Sequence, residues 1–310
     1  MSQIGNEELK AEVREFWNQL SCDTQVASAA KFSREYFEQI EAFRYRDQPF
    51  IHAFAQFSRY RGKRVVEIGF GAGTDFIQWL RAGAHATGID LTPEALENLT
   101  HRIEAYQLPA PEKIMVADAE QLPFESNSFD LGYSFGVLHH SPNTEKALAE
   151  LVRVVQPGGE IKVMLYNRHS VFVFNQWIKH ALLRGRPWQS LKSILWNHME
   201  SVGTKGYTRR ELSALLRTLP LKDILVHTEA TAADYLSASA LPPLNALYRF
   251  CLNLAGSSRD WDPADYVERP KANEPVREQK LKVTNRNQIG FSGNRFGFFH
   301  CITATKIAGG

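Results

Sequence analysis

Five side chains in this sequence combine reactive type with suggestive position: Glu67, Asp90, Asp118, His139 and His140. Glu67 lies inside the apolar run Val65-Val66-Glu67-Ile68, directly ahead of Gly69-Phe70-Gly71-Ala72-Gly73. Glycine at every second position lets backbone approach a ligand with no Cβ in the way. A glycine loop that leads into a helix also turns free N–H groups and the positive end of the helix dipole toward that ligand. Asp90 closes Ala86-Thr87-Gly88-Ile89 and Asp118 closes Lys113-Ile114-Met115-Val116-Ala117, so both carboxylates stand at the ends of apolar runs. His139-His140 follows Phe135-Gly136 and offers imidazoles for proton transfer.

The elements that must position these groups can be read from periodicity. Arg64–Ile68 reads as a buried strand, 75–82 as a helix stopped by Gly83, and Ala86–Asp90 as a second strand. Thr92-Pro93 caps a helix over 94–106, with proline where its missing N–H costs nothing. Residues 113–118 and 129–135 are the third and fourth strands. Ser141-Pro142 repeats the cap-plus-proline device for a helix over 144–155, and Pro157-Gly158-Gly159 turns it into a fifth strand, 160–166. Thr208-Arg209-Arg210-Glu211 is a capping box, and 221–229 and 297–305 read as further strands. Alternating strands and helices predict an α/β fold with a doubly wound, mostly parallel, seven-stranded sheet.

Residues 1–60 form an expected helical arm, with Tyr36, Arg44 and Tyr45 as polar tips that would meet ligand if the arm acts as a lid. Residues 61–310 would be the main domain, with insertions at about 167–206 and 231–295. A helix over 244–254 and a loop-like stretch over 261–288 fall in the second insertion.

A formal charge of +2 and a pI near 8.4 provide no electrostatic reason to expect a nucleic-acid partner. Three widely separated cysteines, Cys22, Cys251 and Cys301, point to a reducing compartment and to neither a disulfide framework nor a metal site. An acidic N-terminus without an apolar core and a longest apolar stretch, 171–183, too short for a bilayer both fit a cytoplasmic protein.

Glu67-Ile68-Gly69-Phe70-Gly71-Ala72-Gly73 resembles the E/D-x-G-x-G-x-G motif of class I S-adenosylmethionine-dependent methyltransferases. Asp90, Asp118-Ala119, Phe129-Asp130 and Val155-Gln156-Pro157-Gly158-Gly159 follow in that family's order, and the loop after the fourth strand resembles the ubiquinone/menaquinone-type, small-molecule branch. A nicotinamide dehydrogenase would need glycine at position 74, where this chain has threonine.

The resemblance implies S-adenosylmethionine as co-substrate, with no metal. Glu67, Gly69, Gly71 and Gly73 would form its clasp, and Asp90 would accept from the ribose hydroxyls. Asp118 and Ala119 would read the adenine edge, Leu91 and Leu122 would hold its faces, and Phe135 would lie by the methionine moiety. Tyr36 and Arg44 join that set if the arm closes. His139 matches best the histidine that serves as a base in some relatives, with His140 as a framework residue.

The segment after the fifth strand would build the acceptor pocket, with Arg168 or His169 meeting an anionic acceptor. The aromatic run 172–196 would pack as a lid over a small molecule with an apolar or aromatic body. Contact of that segment with a membrane surface is the minor reading. A non-methylating S-adenosylmethionine enzyme and a catalytically silent binding protein are the alternatives from other classes.

Overall fold

Strand β1 (Arg64–Ile68) sends alternate side chains to opposite faces of a sheet, and both faces are covered. Val65 packs with Phe76, Ile77, Trp79 and Tyr133, whereas Val66 and Ile68 pack with Leu148, Leu151 and Leu216. A strand buried on both sides cannot afford a polar alternation, which is why it reads as a continuous apolar run. The computed structural model describes residues 5–230 and 289–307; the helix expected at 244–254 and the loop expected at 261–288 lie outside the described residues.

The remaining strands are β2 (His85–Asp90), β3 (Lys113–Val116), β4 (Phe129–Phe135), β5 (Val155–Tyr166), β6 (Leu221–Glu229), β7 (Gly290–Gly293) and β8 (Phe299–Lys306). They form one eight-stranded sheet in the order β3-β2-β1-β4-β5-β8-β6-β7. The first five run parallel, while β8 is antiparallel to both β5 and β6. Among the described residues the expected seven strands are thus corrected to eight. β7 is four residues long and begins and ends in glycine, so it has no apolar alternation to reveal it; its pairing with β6 makes it a strand.

Helices α1 (Asn6–Gln19), α2 (Arg34–Asp47) and α3 (Ile51–Ala55) form the N-terminal arm. Then come α4 (Phe76–Ala82), α5 (Pro93–Tyr106), α6 (Thr144–Val154), α7 (Val171–His180), α8 (Leu191–His198) and α9 (Arg209–Arg217). Thr92 caps α5 as expected, with its hydroxyl accepting from Ala95 N, and Thr208 and Glu211 complete the capping box of α9. The cap of α6 is Asn143, not Ser141-Pro142. Ser141 Oγ instead donates to Glu120, 2.6 Å away, and the proline falls in the loop before the helix. β5 starts at Val155, five residues ahead of expectation, because the Pro157-Gly158-Gly159 turn interrupts its pairing with β4 without ending the strand.

The arm is packed onto the sheet and not merely tethered to it. Phe50, Ile51, Ala55 and Phe57 share a core with β1, α4 and β4. The buried Lys162 of β5 donates to the carbonyls of Phe54 and Ala55 and to Gln56 Oε1, tying α3 to the sheet. Burial pushes its ammonium down to about 7. The strand order reverses between β1 and β4, and in open α/β sheets the crevice at such a reversal is where ligands bind.

Candidate active site

A cavity opens at the carboxyl ends of β1, β2, β3 and β4, and the glycine loop forms its floor. Gly69, Gly71 and Gly73 all have positive φ, between +50° and +77°. The three serve different ends. A Cβ on Gly69 would fall 2.2 Å from Val137 and one on Gly73 would fall 2.6 Å from Leu99, so both are required for packing. A Cβ on Gly71 would meet only Cys22, at 3.6 Å, and both residues line the cavity, so this glycine keeps space open there.

The loop is held from behind by Arg102 of α5, which is fully buried. Its guanidinium donates to the carbonyls of Ala72 and Phe37 and to Thr74 Oγ1, at 2.7 to 3.1 Å, joining loop, arm and α5. Removing a buried charged donor with several acceptors costs about 3 kcal/mol or more.

Asp90 Oδ1 accepts from the backbone N–H and hydroxyl of Thr92, at 3.0 and 2.9 Å, and Oδ2 accepts from Gly71 N at 3.0 Å. Roughly one of the four lone-pair sites of a carboxylate then remains for a ligand hydroxyl. The expectation that Asp90 takes two hydroxyls is narrowed accordingly. Asp118 Oδ1 accepts from Glu120 N and Oδ2 from Lys10 Nζ of α1, at 2.7 Å, so the arm reaches over this end of the cavity. Leu91 and Ala119 line the cavity beside these acids; Leu122 does not, and packs in the core under α6.

Glu67 is buried, but its partner is a side chain and not the loop amides: Oε2 accepts from the Trp79 indole at 2.7 Å. Burial and the neighbouring Asp75 push its carboxyl well above the usual range. Asp75 shows the opposite outcome. Burial acts against its charge, yet Arg44 in a two-pronged contact (3.1 and 2.9 Å) and the hydroxyls of Tyr133 and Tyr45 hold it below the usual range. Arg44 thus lines the cavity with its charge already committed to Asp75 and, at 3.4 Å, to Asp23, while it lies 5.2 Å from the centre of the Phe135 ring. Tyr36 is not at the cavity: it is buried with Phe37, Ile40 and Ala72 on the far side of the loop. Its helical phase turns it into the arm's own core.

The two histidines face different surroundings. His139 is fully buried beneath the Tyr166 ring, 3.8 Å away centre to centre, and does not line the cavity. Neither ring nitrogen has a partner among the described residues, and burial, with His140 and Lys205 nearby, pushes its imidazole well below the usual range. His140 does line the cavity. Its Nδ1 lies 3.0 Å from both Thr204 Oγ1 and Ser201 Oγ, and its Nε2 lies 3.1 Å from Glu200 Oε2. The Thr204 hydroxyl proton goes to the Ser201 carbonyl, so its oxygen can accept from Nδ1–H. The Ser201 hydroxyl can instead donate to Nδ1, which places the ring proton on Nε2 beside the Glu200 carboxylate, and Nε2 is closed off from solvent. Trp17 of α1 closes over the ring edge at 5.1 Å.

Glu200 is braced by the Tyr166 hydroxyl and has φ of +27°, an unfavourable backbone for a residue with a Cβ. Tyr166 opens the segment expected to build the acceptor pocket, whereas Lys10, Trp17, Asp75 and Glu200 lie outside the site residues expected from sequence. Of these only Asp75, directly after the glycine loop, had a local signal. Arg168, expected to meet an acceptor, is instead paired with Glu211 of α9 at 2.6 Å.

Among the described residues, five carboxylates line the cavity (Asp23, Glu67, Asp75, Asp90 and Asp118) against the cations of Lys10 and Arg44. The uncompensated acidity suits a ligand that carries positive charge next to hydroxyls. Val13, Trp17, Phe135, Val137 and Leu138 supply apolar lining.

Residues 66–163 match the family model described as "Methyltransferase domain". The chain is 37% identical over 102 residues to a phthiotriol/phenolphthiotriol dimycocerosates methyltransferase of Mycobacterium leprae, covering 32% of this chain and 36% of that one. It is 35% identical over 105 residues to the chloroplastic tocopherol O-methyltransferase of Arabidopsis thaliana, covering 34% and 30% respectively. The chain thus spans about a third of the length of the curated relatives it matches. A solved magnesium protoporphyrin IX methyltransferase from Synechocystis PCC 6803 shares the fold, with a TM-score of 0.54 at 12% identity over 96% of this chain and 99% of that one. Residues 66–163 thus carry a methyltransferase-type domain, set in the doubly wound α/β fold that the chain shares with that solved structure.

Proposed function

We propose that this protein transfers a methyl group from S-adenosylmethionine to a small molecule with an apolar or aromatic body, and that His140 is the proton acceptor. The observation that supports this reading is that a single cavity is lined by the glycine loop, Asp90, Asp118 and His140 together. When bound, S-adenosylmethionine supplies an electrophilic methyl on a positively charged sulfur. Its positive groups complement a cavity in which Glu67 is a buried carboxylate without a cation of its own.

The residues of the chain would then divide the work. Gly71 leaves room for the ligand, Asp90 retains an acceptor for a ribose hydroxyl, and Asp118 with Ala119 faces the adenine edge. Trp17 and Val13 exclude water from above. The His140 imidazole, which lines the cavity, takes the proton that the acceptor loses, and Glu200, 3.1 Å from Nε2, stabilises the imidazolium that results.

Calorimetry with S-adenosylmethionine and S-adenosylhomocysteine tests the cavity, and incubation with methyl-labelled S-adenosylmethionine plus pools of phenolic, quinone and lipid acceptors tests the reaction. The expected result is tight binding of both ligands and label in an organic-extractable product. Absence of binding sinks the proposal. Binding with turnover but without label in any product would assign a non-methylating reaction.

A further inference from the structure

We propose that the face formed by α7, the turn after it and the stretch to Trp188 docks on an anionic lipid bilayer surface. Four of the nine exposed large apolar side chains of the described residues fall within 174–188: Phe174 (49% exposed), Leu182 (45%), Leu183 (76%) and Trp188 (78%). All residues from Leu182 to Trp188 are exposed, so the patch is the outermost part of its loop and not a rim of the core. Phe296, also exposed, adjoins the same face, because its carbonyl accepts from Val171 N at the start of α7.

The charges around the patch have one sign. Lys179, Arg184, Arg186 and Lys192 are exposed among these apolar residues, and none of the four is ion-paired among the described residues. Sequence extends the point: from Ile161 to Met199 there is no aspartate or glutamate at all, although acids nearly equal bases in the whole chain. Cations held for local helix stability would be expected to alternate with acids. Cations interleaved with Leu182, Leu183 and Trp188 match an interface where apolar side chains enter the acyl boundary and ammonium or guanidinium groups meet lipid phosphates.

A phosphate backbone would use the cations but leave Leu182 and Leu183 without a partner, so a lipid surface accounts for more of the face than a nucleic acid does. The face is also built to present itself. Trp177 Nε1 donates to Gln189 O at 2.7 Å, and Val173 and Leu195 anchor α7 and α8 in the core, so the turn projects from a fixed base.

The test is co-sedimentation of the full chain with phosphatidylcholine vesicles, with and without a phosphatidylglycerol fraction, at low and moderate salt. No methyl donor is needed, so the outcome is independent of the reading of the cavity. The expected result is binding at least about tenfold stronger on the anionic vesicles, weakened by salt. R184Q/R186Q should lose about fivefold per charge on anionic vesicles only. L183S/W188S should lose roughly tenfold on the same vesicles, with melting temperature held within about 2 °C because both side chains are exposed. Equal binding to both vesicle types, no binding to either, or unchanged binding by both variants would overturn the proposal. A dimer in sedimentation velocity that L183S/W188S abolishes would overturn it too, by assigning the face to a second copy.

Discussion

The two walls of the cavity are built by different means. On the wall made by β2 and β3, each acid takes a partner from its own loop: Asp90 accepts from Thr92 and from Gly71 of the neighbouring loop, and Asp118 accepts from the N–H of Glu120 as well as from Lys10 of the arm. On the wall beyond β4, the key group depends on residues about sixty positions away. His140 meets Ser201, Thr204 and Glu200, and Glu200 in turn rests on Tyr166. The first arrangement is a property of strand ends and the loops that follow them. The second exists only because the segment 199–205 returns beneath the loop after β4. A binding wall of the first kind can be shared by proteins with many acceptors, whereas the second can vary without disturbing it.

Substitutions should separate the walls. His140→Gln is expected to lower turnover on the order of a hundredfold while S-adenosylmethionine affinity, measured by calorimetry, stays within about twofold. His139→Gln should cost no more than about threefold in the same labelled-methyl assay; the reverse ranking would restore the sequence-based preference and break the comparison. Asp90→Asn should weaken S-adenosylmethionine binding roughly thirtyfold, because it removes a charge and places an NH₂ among donors.

A pH series sharpens the electrostatic account. Burial raises the carboxyls of Glu67 and Asp90, so the folded, ligand-free chain binds more protons there than the unfolded chain. Their contribution to its stability is therefore present at low pH and lost as pH rises through their raised values. A positively charged ligand removes that loss. The thermal shift produced by S-adenosylmethionine should grow several-fold from about pH 5 to about pH 8, above the ordinary carboxylate range. Asp75 has the opposite sign: held low by Arg44 and two tyrosines, it supports the fold above the ordinary carboxylate range and withdraws support as pH falls. A thermal shift that shrinks with pH would contradict the assignment of Glu67 and Asp90 as unneutralised. Smallest of all, Lys10→Met should raise the S-adenosylmethionine dissociation rate about threefold in stopped-flow, since a partly exposed ion pair holds the arm over Asp118.

The parallel half of the sheet was almost fully legible. β1, β2 and β4 are buried on both faces, α5 carries its Thr92 cap, and the glycines of the first loop stand where turns are forced. What failed was local in a different way. Asn143 rather than Ser141 caps α6 because Glu120 captures the Ser141 hydroxyl and the Asn143 N–H. β7 escaped notice because two of its four residues are glycine. Tyr36 was drawn into the site by its polar tip, but the helix phase of α2 turns it into the arm.

Sequence by itself determined the five parallel strands, the glycine loop and the order of the acids at the strand ends, because each depends on periodicity or on neighbours a few residues apart. Only the tertiary structure decided which histidine faces the cavity, that Arg44 is spent on Asp75, that Lys10 reaches Asp118, and that 182–188 stands outside the core. His139 and His140 are adjacent in the chain and nearly identical in sequence context. In the short 3₁₀ turn that holds them, successive side chains point in different directions, and the packing of Tyr166 and Glu200 decides which is sealed and which is offered.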